Sequence, residues 1–172
     1  MRDPRDIVIS GCFYHLDAAE DWLHVPRAGF GGLSYQDKMR SLPSLNERIL
    51  FEMENQAYHT IKCIDSWNYQ HQNFIEAKWE DLIEDKDLKL FEVMFKFLGF
   101  KEGVIDSLLE IAWRNSLFSN EIERNTLHVR SGKIGQWKTL YMPEHSARFK
   151  SLFGDILVRL GYEEDNEQWL RK

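Results

Sequence analysis

Apolar residues recur along this chain mostly at spacings of three and four, the period of an α-helix. Asp3-Pro4 reads as an N-cap followed by a first helical residue, and Ile7, Val8, Ile9 and Phe13 carry that helix to about Leu16. From Asp17 to about Ser34 the pattern fails. Pro26, Gly29, Gly31 and Gly32 interrupt it while Trp22, Phe30 and Tyr35 stud it, as in a mobile loop or lid. Pro43-Ser44 opens a long helical pattern to about Gln70, through Ile49, Met53, Ala57, Ile61 and Ile64. Asn73 to Trp79 is short and alternating, which predicts a buried strand. Helices follow over Leu88 to Leu98, stopped by Gly99, and over Glu102 to Trp113. Asn115 to Gly135 is polar and irregular, and a last helix is predicted from Pro143 to Leu160, closed by Gly161. A lone strand needs partners. The pattern therefore fits either a mostly helical domain or part of an α/β domain whose other strands lie upstream.

Length and composition narrow the class. The 172 residues suggest one domain, and 43% hydrophobic residues suffice for a core. A net charge of −6 argues against general nucleic-acid binding but leaves room for a local basic pocket around one anion. Cys12 and Cys63 have no metal-ligand spacing, so no zinc site is expected, and free thiols fit better than a disulfide. No run approaches the roughly 20 apolar residues of a membrane span, and the polar opening is not a signal peptide. A cytoplasmic protein with no membrane and no nucleic-acid partner is the expectation.

Two charged segments carry candidate chemistry. The first is Arg2-Asp3-Pro4-Arg5-Asp6-Ile7-Val8-Ile9-Ser10. An arginine just ahead of a helix start lies where backbone N–H groups and the helix dipole attract an anion, and Ser10 offers a hydroxyl two turns on. The other reading is that Arg2 and Arg5 are surface charges paired with Asp3 and Asp6. The second segment is His128-Val129-Arg130-Ser131-Gly132-Lys133-Ile134-Gly135-Gln136-Trp137-Lys138. Its glycines let backbone approach an anion closely, its cations neutralise it, and Trp137 can anchor the loop by burial. A basic surface turn is again the plainer reading.

Together and in this order, the two segments resemble the sulfotransferases that use 3′-phosphoadenosine 5′-phosphosulfate, in their soluble, bacterial-type form. Those proteins share an Arg-x-Pro-[Arg/Lys]-Asp segment with a following Ser, and a late Arg-x-Gly-x-x-Gly-x-Trp-Lys loop. Pro143 to Phe149 and Leu160-Gly161-Tyr162 resemble the family's last helix, so the likeness runs through the chain. It implies a P-loop-NTPase-like three-layer α/β fold, here incomplete and mostly helical with one or two strands, as a single domain over residues 1–172. It implies that Arg2 and Ser10, with Arg130, Ser131 and Gly132, hold the donor's 3′-phosphate. It places Trp79, in Lys78-Trp79-Glu80-Asp81, against the adenine, and Ser116, through a looser match over Ser116 to Phe118, beside it.

The implied activity is transfer of a sulfuryl group to a hydroxyl or amine of a small-molecule or glycan acceptor. The family's 5′-phosphosulfate loop and general base both precede the Arg-x-Pro segment and are not found here. Met1 is thus expected at the end of a central strand, in a fragment or truncated gene product with little or no activity by itself. No catalytic residue is assigned. His15 reads as structural, and His128 stands close to the nucleotide loop. Ser131 replaces a common lysine, and Met142, Pro143 and Ala147 do not match the dimer patch of the vertebrate enzymes. Two other readings stand beside the enzyme: a non-catalytic nucleotide-binding relative or partner-dependent subunit, and a helical interaction module without a ligand. The acceptor is expected along Asp17 to Ser34, with Trp22, Phe30 and Tyr35 as apolar walls.

Overall fold

The structure, a computed structural model, describes residues 1–116, 119 and 131–171. Its order is α1 (Pro4–Asp17), two 3₁₀ turns (Asp21–His24 and Ala28–Phe30), α2 (Tyr35–Ser41), α3 (Leu45–Glu54), α4 (Gln56–Ser66), α5 (Trp79–Leu82), α6 (Lys89–Phe97), α7 (Glu102–Arg114), α8 (Trp137–Leu140), α9 (Pro143–Phe153), α10 (Ile156–Arg159) and a last 3₁₀ turn (Gln168–Arg171). The chain divides into two compact units. One comprises Met1–Arg2 with Asn68–Gly132, the other Asp3–Trp67 with Lys133–Lys172.

In the larger unit α1 is the central element, packed against α2, α3, α4 and α8. Asp3 caps it by accepting from the Arg5 amide at 2.9 Å, and Pro4 occupies the first turn, where no amide partner is needed. Arg5, Val8, Cys12 and His15 fall at helical spacing and are all buried, with Ile9 beside them. Ile49, Met53, Ile61, Phe149, Phe153, Ile156 and Leu157 complete the core. Cys12 is buried, Cys63 is exposed, and both are free thiols.

The long helix expected from Ser44 to Gln70 is two helices. Ser44 and Glu47 form a capping box at the start of α3, but Asn55 at φ −119°, ψ −101° leaves helical geometry. Its side-chain amide donates to the Phe51 carbonyl at 2.8 Å, and the Gln56 amide turns to the Tyr35 hydroxyl. A side chain that bonds backbone locally competes with helix continuation, which is how asparagine breaks the run here. The last predicted helix divides likewise at Gly154, at φ 62°. His145 is fully buried at the start of α9. Its Nδ1 accepts from the Met142 amide at 2.8 Å and its Nε2 donates to the Asn46 carbonyl at 3.0 Å, which ties α9 to the start of α3.

One buried carboxylate stands under this core. Glu52, 1% exposed, accepts from His15 Nδ1 and from the Tyr35 hydroxyl, both at 2.8 Å. His15 is therefore structural, as its place in the sequence suggests. The Asp17 to Ser34 stretch closes on itself through Arg27 N–H to Leu33 O and Gly32 N–H to Arg27 O. Gly31 and Gly32 supply the positive φ that this closure requires.

In the smaller unit α6 packs on α7, and Asp85 caps α6 by accepting from the Lys89 and Leu90 amides. Asn73 to Trp79 is not a strand, and no strand occurs among the described residues. Residues 75–78 lead into the helical turn α5 at Trp79. Met1 lies alongside: its N donates to Ala77 O at 2.5 Å, and Trp79 N donates to Met1 O at 2.6 Å. Bonds that bracket one residue this way follow parallel-strand register, but one paired residue makes no ladder. Among the described residues no helix is long and apolar enough to cross a membrane.

The contact between Gly11 and Glu52 can be tested. A Cβ on Gly11 would stand 2.5 Å from Glu52 Oε1. Replacing an exposed helical glycine by alanine usually gains up to about 1 kcal/mol. Here the methyl must displace a buried carboxylate from two hydrogen bonds, so Gly11→Ala is expected to lower stability by about 1–3 kcal/mol. Urea unfolding reads this. In a Glu52→Ala background the same change is expected to be neutral or stabilising, and equal destabilisation in both backgrounds contradicts the contact.

Candidate functional site

The two charged segments meet inside the larger unit. Asp6, fully buried on α1, accepts from the Gly135 amide at 2.6 Å and from the Trp137 amide at 3.0 Å. One carboxylate thus holds two backbone groups of a loop 129 and 131 residues away. Gly135 sits at φ 68°, a left-handed conformation that allows the loop to turn its amide toward Asp6. Space is not the constraint there, because the atoms nearest to an added Cβ belong to the Lys138 side chain, at 3.6 Å or more.

Arg5 makes the second connection. Its Nε and Nη2 fork onto the two oxygens of Asp3 at 3.0 and 2.7 Å, and its Nη1 reaches Glu163 at 2.5 Å. The guanidinium carbon lies over Trp137, 3.6 Å from the ring centre, and 5.3 Å from that of Trp169. Burial pulls the Arg5 pKa down, but the hydrogen bonds and charges of Asp3 and Glu163 outweigh it, so the net shift is upward and Arg5 stays charged. A buried charge persists only when paired and hydrogen-bonded, and this one has two carboxylates and two rings.

This arrangement revises the reading of the first segment. Arg5 is 2% exposed, so its pairing with Asp3 is not a surface ion pair. Asp6 serves the loop amides. The Arg5 amide is already taken by Asp3, so the start of α1 offers an anion less than its position suggests. Glu163 and Trp169 belong to the same cluster and carried no signal in the sequence. The Trp169 indole nitrogen is buried with no acceptor among the described residues, which costs about 1–3 kcal/mol.

The residues expected to bind nucleotide are distributed as follows. Ser10 is half-buried on α1 in the larger unit. Arg2, Trp79, Ser116, Ser131 and Gly132 belong to the smaller unit, and Arg130 lies outside the described residues, as does His128. Met1 pairs with Ala77 and Trp79, which sets Arg2 next in chain to the bond that fixes the Trp79 backbone. The Trp79 Nε1 is buried with no acceptor among the described residues. Ser116 donates to the Trp113 carbonyl at 2.8 Å. Gly132 is at φ 61°. Of the three rings expected to face an acceptor, Trp22 and Phe30 are half-buried. Tyr35 is 1% exposed, so its ring belongs to the core and is no wall.

A family model, the Sulfotransferase domain, matches residues 1–164 and so takes in both charged segments. The chain belongs to the sulfotransferase family. Searches of curated proteins and of solved structures return no match. Sulfuryl transfer is the chemistry of the sulfotransferase family, and a P-loop-like α/β fold is its architecture, to which the described residues of this chain contribute helices. Trp169 lies beyond the matched residues.

The Asp6 anchor predicts a specific loss. Asp6→Asn keeps one acceptor oxygen, removes the charge and turns an NH₂ group toward a backbone N–H. A loss of about 2–3 kcal/mol is expected on urea unfolding, with faster hydrogen exchange at the Gly135 and Trp137 amides. Unchanged protection at both amides contradicts the anchor.

Proposed function

We propose that this chain holds the 3′-phosphate-binding elements of a sulfotransferase that draws its sulfuryl group from 3′-phosphoadenosine 5′-phosphosulfate. The acceptor is a hydroxyl or amine of a small molecule or glycan. Arg2, Ser10, Arg130, Ser131 and Gly132 bind the 3′-phosphate, and Trp79 and Ser116 contact the adenine. The supporting observation is the Asp6 bond to Gly135 and Trp137, which links Asp6 of the first segment to Gly135 and Trp137 of the second, residues that the sequence relates only by family pattern.

The residues present suit such a nucleotide. Asp3 and Glu163 neutralise Arg5, and the family pattern gives the phosphate role to Arg2 and Arg130. Arginine suits a phosphate because its fork binds two oxygens at once. The buried Trp79 N–H lacks an acceptor among the described residues, and an adenine ring nitrogen can supply one. The 3′-phosphate takes no part in the chemistry. These residues convert its binding energy into orientation, so that the acceptor meets the sulfur in line with the departing phosphate oxygen. The donor supplies the sulfuryl group itself.

Each charge-assisted hydrogen bond to such a phosphate contributes about 1.5–3 kcal/mol. Arg2→Ala is therefore expected to weaken binding of 3′-phosphoadenosine 5′-phosphate by about 10- to 100-fold in titration calorimetry. Equal affinity in the variant removes Arg2 from the site. A sulfuryl-transfer assay with labelled donor separates an enzyme from a relative that only binds the nucleotide.

A further inference from the structure

We propose that the C-terminal segment from Glu163 to Trp169 is a clamp that sets the position of the late loop, and that Glu163 and Trp169 are positioning residues for the 3′-phosphate. The proposal rests on the nucleotide reading above and adds residues that neither charged segment contains. Trp169 in particular lies outside the stretch shared with the family.

The loop's backbone is fixed by Asp6 at Gly135 and Trp137, and its one large side chain, Trp137, is fixed by what lies on its face. That face is covered by the Arg5 guanidinium at 3.6 Å. Arg5 keeps this position because carboxylates hold it from two sides, Asp3 on its own helix and Glu163 on the C-terminal segment. Trp169 then covers Arg5 at 5.3 Å and meets Trp137 edge-on, ring centres 6.4 Å apart and planes at 85°. It also meets Phe149 of α9, at 5.8 Å and 86°.

Trp169 is 1% exposed, so it is docked into the cluster. Without it Arg5 gains water, its attraction to the Trp137 face weakens, and the Trp137 ring loses a wall. Ser131 and Gly132, assigned to the phosphate, precede Gly135 by only four and three residues. Displacement of Trp137 is thus expected to reach the ligand groups, where small misplacements cost binding.

The test uses the full chain with Glu163→Gln, Trp169→Ala and Trp169→Phe. Hydrogen exchange at the Gly135 and Trp137 amides reports the loop without ligand, and calorimetry with 3′-phosphoadenosine 5′-phosphate reports the site. Thermal melts show which variants fold. Glu163→Gln and Trp169→Ala are expected to exchange faster at both amides and to bind about tenfold more weakly. Trp169→Phe keeps a ring and removes the unpaired N–H, so it is expected to stay within about threefold of the parent. If Trp169→Ala does not fold, Glu163→Gln decides alone. Parent-like exchange or parent-like affinity in Glu163→Gln overturns the clamp, as does a loss in Trp169→Phe equal to that in Trp169→Ala. Failure of the parent chain to bind overturns the nucleotide reading itself, and is distinguished because the variants are then not needed to see it.

Discussion

The Asp6 carboxylate and the Arg5 guanidinium are adjacent on α1, both buried and opposite in charge. Asp6 takes two loop amides, and Arg5 takes Asp3, Glu163 and the face of Trp137. Buried ions are costly to desolvate, and a pair or triad with a missing member is worse than an apolar core. The cluster is therefore all-or-none in character. It specifies where the loop lies relative to α1, which apolar packing by Trp137 alone could achieve in several ways.

That specificity has a functional meaning in a sulfotransferase-family chain. Ligand groups for an anion must be held closely before the anion arrives, because each misplaced donor loses a charge-assisted hydrogen bond. The fold separates the labour. Asp3, Arg5 and Asp6 support the loop, while Arg2 and Ser10, which bracket them in sequence, are assigned to the ligand in the proposed site. The Arg-x-Pro-Arg-Asp pattern thus contains residues, Arg5 and Asp6, whose buried contacts support the loop.

The sequence made the helices legible wherever an apolar period had a cap at its end, as at Asp3-Pro4, Ser44 with Glu47, and Gly99. It hid the breaks at Asn55 and Gly154, because the apolar period continues across both and only a local bond or a positive φ interrupts it. Asn73 to Trp79 read as a strand since alternation marks extended backbone. A strand needs a ladder, and none forms there among the described residues. In the site, both charged segments were visible as patterns. The roles of Arg5 and Asp6 were not, since a charged residue in sequence gives no sign of whether it will be buried. Glu163 and Trp169 were invisible for the same reason, joined to Arg5 by the fold alone.

The central claim is a grip on a 3′-phosphate, and the difference between two nucleotides tests it most directly. Titration calorimetry of the chain should compare 3′-phosphoadenosine 5′-phosphate with adenosine 5′-phosphate, which differ only in that group. Two or more charge-assisted hydrogen bonds predict that the first binds at least about 100-fold more tightly. Equal affinity for the two, or no binding of either, contradicts the account.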